Sequence, residues 1–159
     1  MTGCSTRLHA SCVSLAGAGI LIRGPSASGK SSLALRLIDE GAILVSDDQT
    51  VIEAASGELR ASAPAAIAGM LEVRGLGIVE LDYVPVQRLD LIVDLAAAGT
   101  IERLPEPSEL TDTLCDRAVD RIFADASCAD ATARIRLALK LSTARLAHVF
   151  DPLVSLHER

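Results

Sequence analysis

Gly24-Pro25-Ser26-Ala27-Ser28-Gly29-Lys30-Ser31 follows the apolar run Ile20-Leu21-Ile22 and precedes a segment of helical period, Ser32 to Glu40. It fits G-x-x-x-x-G-K-[ST], the pattern of a phosphate-binding loop, and the strand, loop, helix order around it matters as much as the letters. A polyphosphate has to be met by backbone N–H groups turned inward, and glycine lets the chain come close and adopt the dihedrals this needs. The N-terminus of the following helix adds unpaired donors and the positive end of its dipole. The whole stretch Gly24 to Ser31 is therefore the expected nucleotide cradle. Lys30 is expected to face solvent and reach the outer phosphates, and Ser31 to offer its hydroxyl to Mg²⁺. A plain Gly/Ser turn would call for neither the strand before it nor the helix after it.

Working outward, Leu33, Ala34, Leu37 and Ile38 fall on one helical face, and Gly41 is a natural stop. Ala42 to Val45 is a short apolar strand that delivers Ser46-Asp47-Asp48 at its end, 16 and 17 positions after Ser31. Consecutive residues of a strand point to opposite sides, so one carboxylate can serve a metal while the other acts as a base. Upstream, Ala10 to Leu15 and Ile20 to Arg23 form a hairpin about Ala16 to Gly19, and the first eight residues are expected to fray. Gly17-x-Gly19 is no dinucleotide fingerprint, since a strand follows it.

Downstream, 51–54 and 58–61 read as a second hairpin, and 62–70 as a loop or a short helix begun by Pro64. Leu71 to Val79 joins two apolar pieces through Gly75-x-Gly77. There Glu72 and Arg74 are compatible with a salt-bridged hairpin or with a ligand approaching the bend. Leu89 to Leu95 is a strand with Asp90 and Asp94 on one face, and 102–113 is a surface connection. Ser127 is the expected cap of a helix from about Ala129 to Leu146, followed by an irregular tail from Asp151. No repeat or linker divides the chain, so one domain with a core of about 9–146 is expected.

The chain has 159 residues, half of them apolar, with one Tyr, two Phe and no Trp, so the core must be built from Leu, Ile, Val and Ala. A net charge of −6 with no basic run argues against nucleic acid and anionic membranes as partners. Cys4, Cys12, Cys115 and Cys128 stand far apart with no metal-ligand spacing, and are expected to be reduced thiols. No apolar run is long enough for a membrane helix and no leader is recognisable, which together predict a cytoplasmic protein. Of the histidines, only His9 lies near the loop in sequence; His148 and His157 lie near the end.

The phosphate loop, the strand end Val45-Ser46-Asp47-Asp48 and above all Leu71-Glu72-Val73-Arg74-Gly75-Leu76-Gly77-Ile78 resemble the catalytic domain of HPr kinase/phosphorylase. That enzyme phosphorylates a serine of the phosphocarrier protein HPr and is related in fold to phosphoenolpyruvate carboxykinase. The resemblance runs from about His9 to Leu95 and more faintly to about residue 145. It implies an α/β fold, a mixed sheet with flanking helices and the phosphate loop at its edge, with ATP and Mg²⁺ as cofactors. His9 then matches the family's active-site histidine, Ser31 and Glu72 its Mg²⁺ ligands, and Asp48 its proton acceptor. Asp47 stands alongside as a metal or support carboxylate, and Arg103 is the counterpart of a catalytic arginine.

Pro25, Ala27 and Ser32 depart from the family's loop, a short form without the family's usual N-terminal domain is expected, and the family's Pro-Arg-Pro-Gly loop is not recognisable near Asp120-Arg121-Ile122. Kinase activity well in excess of phosphorylase activity is therefore expected, from a short form acting on HPr, with a homo-oligomer compatible with the sequence. A small-molecule kinase would usually carry a lid or base-binding insertion. A GTPase would carry N-K-x-D. A nucleotide sensor without turnover would have no use for Asp47, Asp48 and Glu72 together.

Overall fold

Ile20, Leu21 and Ile22 are wholly buried, which requires both faces of their strand to be covered. The computed structural model describes residues 3–147. Its elements are β1 (Ser5–Leu8), β2 (Ala10–Leu15), β3 (Ala18–Arg23), α1 (Lys30–Asp39), β4 (Ile43–Ser46), β5 (Thr50–Ala55) and β6 (Glu58–Ser62). They continue with β7 (Met70–Val73), β8 (Gly77–Glu80), β9 (Gln87–Leu95), β10 (Thr111–Leu114), β11 (Arg117–Ala124) and α2 (Ala131–Ala147).

Nine strands form one mixed sheet in the order β1-β5-β6-β9-β3-β2-β4, with β11 also on β9 and β10 outside β11; β7 and β8 form a separate hairpin. β3 is antiparallel to β2 (Val13 opposite Ile20) and parallel to β9 (Ile22 opposite Val93). β2 is also antiparallel to β4, and β11 is parallel to β9. The carboxyl ends of β3, β4, β9 and β11 and the amino end of β2 consequently meet at one edge. At the other end of β3, Gly19 passes so close to β9 that an added Cβ would lie 2.1 Å from the Arg88 carbonyl oxygen, and only glycine fits.

Alternation along the strands divides the core. Val13, Ile20, Ile22, Leu91 and Val93 pack against Leu33 and Leu37 of α1 and Ala131 and Ile135 of α2. Cys12, Leu21 and Ile92 pack on the other face against Ile52, Leu59 and Ala61 of β5 and β6. Both helices thus sit on one face, and strands cover the other. Each fully buried aliphatic side chain contributes about 1.5–3 kcal/mol. The end of α1 is as the sequence predicts: Gly41, at φ 112°, donates to Ile38 O at 3.0 Å, and Ala42 N–H donates to Leu37 O at 2.9 Å.

Four sequence expectations are corrected. Residues 5–8 are not frayed: β1 pairs with β5, Ser5 opposite Glu53 to Leu8 opposite Thr50. The 102–113 connection holds the 3₁₀ turn Pro107–Leu110 and β10, and Asp120-Arg121-Ile122 is the middle of a strand rather than a loop. Ser127 does not cap α2. Its N–H and hydroxyl both donate to Asp125, and the first bond of the helix runs from Arg134 N–H to Asp130 O. Cys4 and Cys115 are joined by a disulfide, 111 residues apart in sequence with Cα atoms 5.5 Å apart. The approach of the β10–β11 turn to β5–β6, where Arg117 Nη1 donates to Gly57 O, brings Cys115 to the start of β1. Cys12 and Cys128 are free thiols, as predicted.

Residues 62–70, undecided from sequence, contain a 3₁₀ turn at Ala65–Ile67 after Pro64. Met1, Thr2, His148, His157 and the tail from Asp151 lie outside the described residues. Among the described residues no helix is long and apolar enough to cross a membrane.

Candidate functional site

The loop between β3 and α1 is anchored at both ends. At its start, the Arg23 guanidinium grips Asp94 of β9 in a two-pronged pair (2.7 and 2.8 Å) and reaches Asp112 of β10 at 2.6 Å. Arg121 of β11 lies 3.7 Å from both carboxylates. These contacts raise the Arg23 guanidinium's affinity for its proton, led by the Asp94 hydrogen bond, and hold Asp112 below the usual carboxylate range, led by the Arg23 hydrogen bond. At its end, Gly29 takes φ 101° as the residue before α1, and an added Cβ there would lie 2.9 Å from Ala126 Cβ. Between the anchors Ala27 is also left-handed, at φ 63°, and the Ser28 hydroxyl is buried with no hydrogen-bond partner among the described residues.

Lys30 does not face solvent, contrary to the sequence expectation. It is 7% exposed, and its ammonium donates to Gly24 O at 2.8 Å and Pro25 O at 2.9 Å, turned back beneath the loop.

The two aspartates after β4 separate as their positions require. Asp47 is buried; its Oδ1 accepts from Ser31 Oγ at 2.7 Å and from Ser11 Oγ at 2.8 Å, and its Oδ2 accepts from Glu72 N–H at 3.2 Å. Asp48 is exposed, left-handed at φ 66°, and its Oδ1 lies 2.6 Å from His9 Nε2. Ser11, wholly buried on β2, also accepts the Asp48 N–H at 3.2 Å and so ties the two residues together. Sequence reasoning missed it. The one signal was a hydroxyl in a mostly apolar strand, two positions after His9.

A cavity of about 490 Å³ is lined by His9, Ser26, Ala27, Gly29, Lys30, Ser31, Ser32, Asp48, Glu72 and Arg74. It unites the loop with His9 from the start of β2, Asp48 from the end of β4 and Glu72 from β7, three elements far apart in the chain. Arg74 lies at the β7–β8 bend, flagged in the sequence but given no role there. Arg103 is the exception among the predicted residues. The loop after β9 carries it to the opposite side of the phosphate loop, where it lines a separate cavity with Asp125 and Cys128.

The donor set fits a nucleotide and its metal. Among the described residues no three His, Cys, Asp or Glu side chains cluster as a complete metal cage. One hydroxyl and one or two carboxylates, here Ser31, Asp47 and Glu72, are what Mg²⁺ takes when phosphates and waters complete its shell. Lys30, whose side chain lines the cavity, supplies the cation that a polyphosphate there would meet.

The family model described as the HPr serine kinase C-terminal domain matches residues 3–109. HPr kinase/phosphorylase of Clostridium tetani is 45% identical over 101 residues, 64% of this chain and 32% of that protein. The Clostridium beijerinckii protein of the same name is 50% identical over 76 residues, 48% of this chain and 25% of that one. The matched part thus spans a third or less of these curated relatives. The solved structure of the Hpr(Ser) kinase/phosphatase from Coxiella burnetii superimposes with a TM-score of 0.73 at 23% identity, covering 96% of this chain and 97% of that one. That likeness carries the fold.

Proposed function

The chain belongs to the HPr serine kinase C-terminal domain family, and from that premise we propose that it is an ATP-dependent serine protein kinase acting on the phosphocarrier protein HPr. The observation that carries the proposal is the meeting of Lys30, Ser31, His9, Asp48 and Glu72 around one cavity, with Asp47 buried behind Ser31.

Each residue has work suited to its place. The loop Gly24 to Ser31 holds the phosphates through backbone N–H groups, and Lys30 exchanges its two carbonyl partners for phosphate oxygens. Ser31 and Glu72 hold Mg²⁺, with Asp47 fixing the Ser31 hydroxyl. Bound Mg²⁺ would draw charge from the outer phosphates during transfer. Asp48, oriented by His9, takes the proton from the serine hydroxyl as its oxygen bonds to the γ-phosphorus and the β–γ bridging P–O bond breaks. The open, exposed position of Asp48 and His9 suits a folded protein as acceptor. Arg103, on the far side of the loop, is given no part in the transfer.

Incubation with γ-labelled ATP, Mg²⁺ and HPr, with and without its acceptor serine, tests the reading. Label on the intact HPr alone is the expected result. ATP turnover with no transfer to HPr would move the assignment to a small-molecule kinase.

A further inference from the structure

β1 is the outermost strand of the sheet and pairs with β5 alone. A four-residue edge strand has little to hold it, and the side chains of β1 alternate only between exposed and half-buried. Leu8 packs on the cluster of Ile52 and Leu59, Cys4 O accepts from Ala54 N–H at 3.0 Å, and the disulfide joins Cys4 to Cys115. His9 follows, and with Ala10 the chain is fixed again. Ala10 is wholly buried opposite Arg23 of β3, and its carbonyl accepts from Thr50 Oγ1 at 2.9 Å. His9 is thus slung between β2 and a strap pinned at its far end. Its contact with Asp48 joins two exposed side chains, so its geometry rests on how the chain to either side is held.

The two ends of the disulfide are held unequally. Cys115 and Asp116 form the turn between β10 and β11, left-handed at φ 47° and 60°. β11 carries that turn through its pairing with β9, and Arg117 Nη1 ties it to Gly57 O at 3.0 Å. Opening the bond therefore leaves Cys115 in place and releases Cys4. The bond is also within reach of a reagent. Cys4 is exposed and Cys115 half-buried, and both line a cavity of about 710 Å³ with Ser56, Gly57, Asp116 and Arg117. In that wall the Arg117 guanidinium favours a departing thiolate and the Asp116 carboxylate opposes it, so the cavity selects no net charge in its visitor.

We propose that Cys4–Cys115 is a thiol-exchange site, opened through this cavity by a dithiol reductant, and that its reduction releases β1 and slackens His9 against Asp48. One thiolate of the reductant attacks Cys4 Sγ; the Cys4–Cys115 bond breaks, and Cys115 leaves as a thiolate that takes up a proton. The second thiolate then attacks the reductant's own sulfur in the mixed disulfide, and Cys4 leaves in the same way. Two electrons and two protons pass to the protein, and the reductant becomes a disulfide. The release of β1 rests on the fold alone. Its effect on turnover rests on the reading of Asp48 as the base that His9 orients.

Folded protein, oxidised or incubated with dithiothreitol, is alkylated with iodoacetamide and its peptides are weighed by mass spectrometry. Hydrogen exchange of residues 5–9 and transfer from Mg-ATP to HPr are followed for both states and for Cys4→Ser. The expected result is that Cys4 and Cys115 are alkylated only after reduction while circular dichroism stays native. Exchange at 5–9 should quicken by about tenfold or more while 18–23 stay protected. Transfer at saturating Mg-ATP should slow by about tenfold, less than the loss of about 10²–10⁴-fold expected of removing the base itself, and recover on reoxidation. ATP affinity by calorimetry should not change. Cys4→Ser should behave as the reduced protein with or without dithiothreitol. A bond that is reduced only in denaturant, or exchange at 5–9 that is the same in both states, would overturn the proposal. So would a released β1 with undiminished transfer. If neither state transfers phosphate to HPr, the kinase reading falls, and exchange at 5–9 alone decides the thiol site.

Discussion

Ser11 and Asp47 face each other across the β2–β4 pair, the serine hydroxyl donating to the carboxylate at 2.8 Å while accepting the N–H of Asp48. One buried side chain thus sets the separation of the two aspartates. Ser11→Ala should cost about 1–3 kcal/mol of stability, the usual result of leaving buried polar groups unpaired. It should also raise the Mg²⁺ needed for half-maximal activity, and Ser11→Thr, which keeps the hydroxyl, should restore it. A lower melting temperature with an unchanged Mg²⁺ titration would reduce Ser11 to a packing role.

Lys30→Ala should abolish ATP binding measured by calorimetry. Because the ammonium joins Gly24 O and Pro25 O, the variant should also lose some stability, about 1–3 kcal/mol for hydrogen bonds to a charged group. Circular dichroism would check that the fold persists. Normal ATP affinity in a folded variant would remove the basis of the loop assignment.

Asp48→Asn should leave ATP and Mg²⁺ bound and slow transfer by about 10²–10⁴-fold. Glu72→Gln should instead raise the Mg²⁺ requirement more than the ATP requirement. If Asp47→Asn reduced turnover at saturating Mg²⁺ more than Asp48→Asn did, the two carboxylates would have to exchange roles.

The Cys4–Cys115 bond closes a long loop, and in the chain-entropy view a closure of this length is worth up to about 4–5 kcal/mol. Thermal melting with and without a thiol reductant should show a clear drop on reduction. Cys4→Ser should melt with the reduced protein and be indifferent to reductant. Identical melts for all four samples would show that the link adds nothing to stability.

Asp112 ties acid stability to the Arg23 cluster. Its folded carboxyl holds a proton less readily than in the unfolded chain, where about 3.9 is usual, chiefly because Arg23 donates to it. Its contribution is present above that unfolded value and is lost as pH falls through the lower folded value. The melting-temperature gap between wild type and Asp112→Asn should therefore be widest near neutrality and narrow below about pH 4. A constant gap down to pH 3 would show that the ion pair is not what the variant removes.

The parts legible in the sequence were those set by local pattern. The β2–β3 hairpin, the loop, α1 with its Gly41 stop and the strand β4 that leads into Asp47 each follow from apolar period and turn residues. β10 and β11 were hidden because Asp112, Asp120 and Arg121 interrupt their apolar pattern, and the groups that explain this come from distant elements: Arg23 and Asp94 for Asp112 and Arg121, and the Ser142 hydroxyl of α2 for Asp120. The disulfide was hidden for the same reason, since a separation of 111 residues carries no signal until the β10–β11 turn meets β5–β6. Arg103 was placed by likeness of a short segment, and such a match cannot say on which side of the loop a chain will pass.

The pairing of β3 with β9 bears on the order in which the domain assembles. β3 finds β2 across a two-residue turn, but Ile22 meets its other neighbour, Val93, only after the intervening 70 residues have been traversed. Contacts of such sequence distance pay their loop-closure entropy late and slow folding. The Arg23–Asp94 anchor belongs to that same late step. On the proposed reading, a growing or refolding chain that already contains the complete glycine-rich stretch would still be unable to grip a nucleotide, and ATP, binding only the finished state, would act as a thermodynamic latch on the last strand to dock.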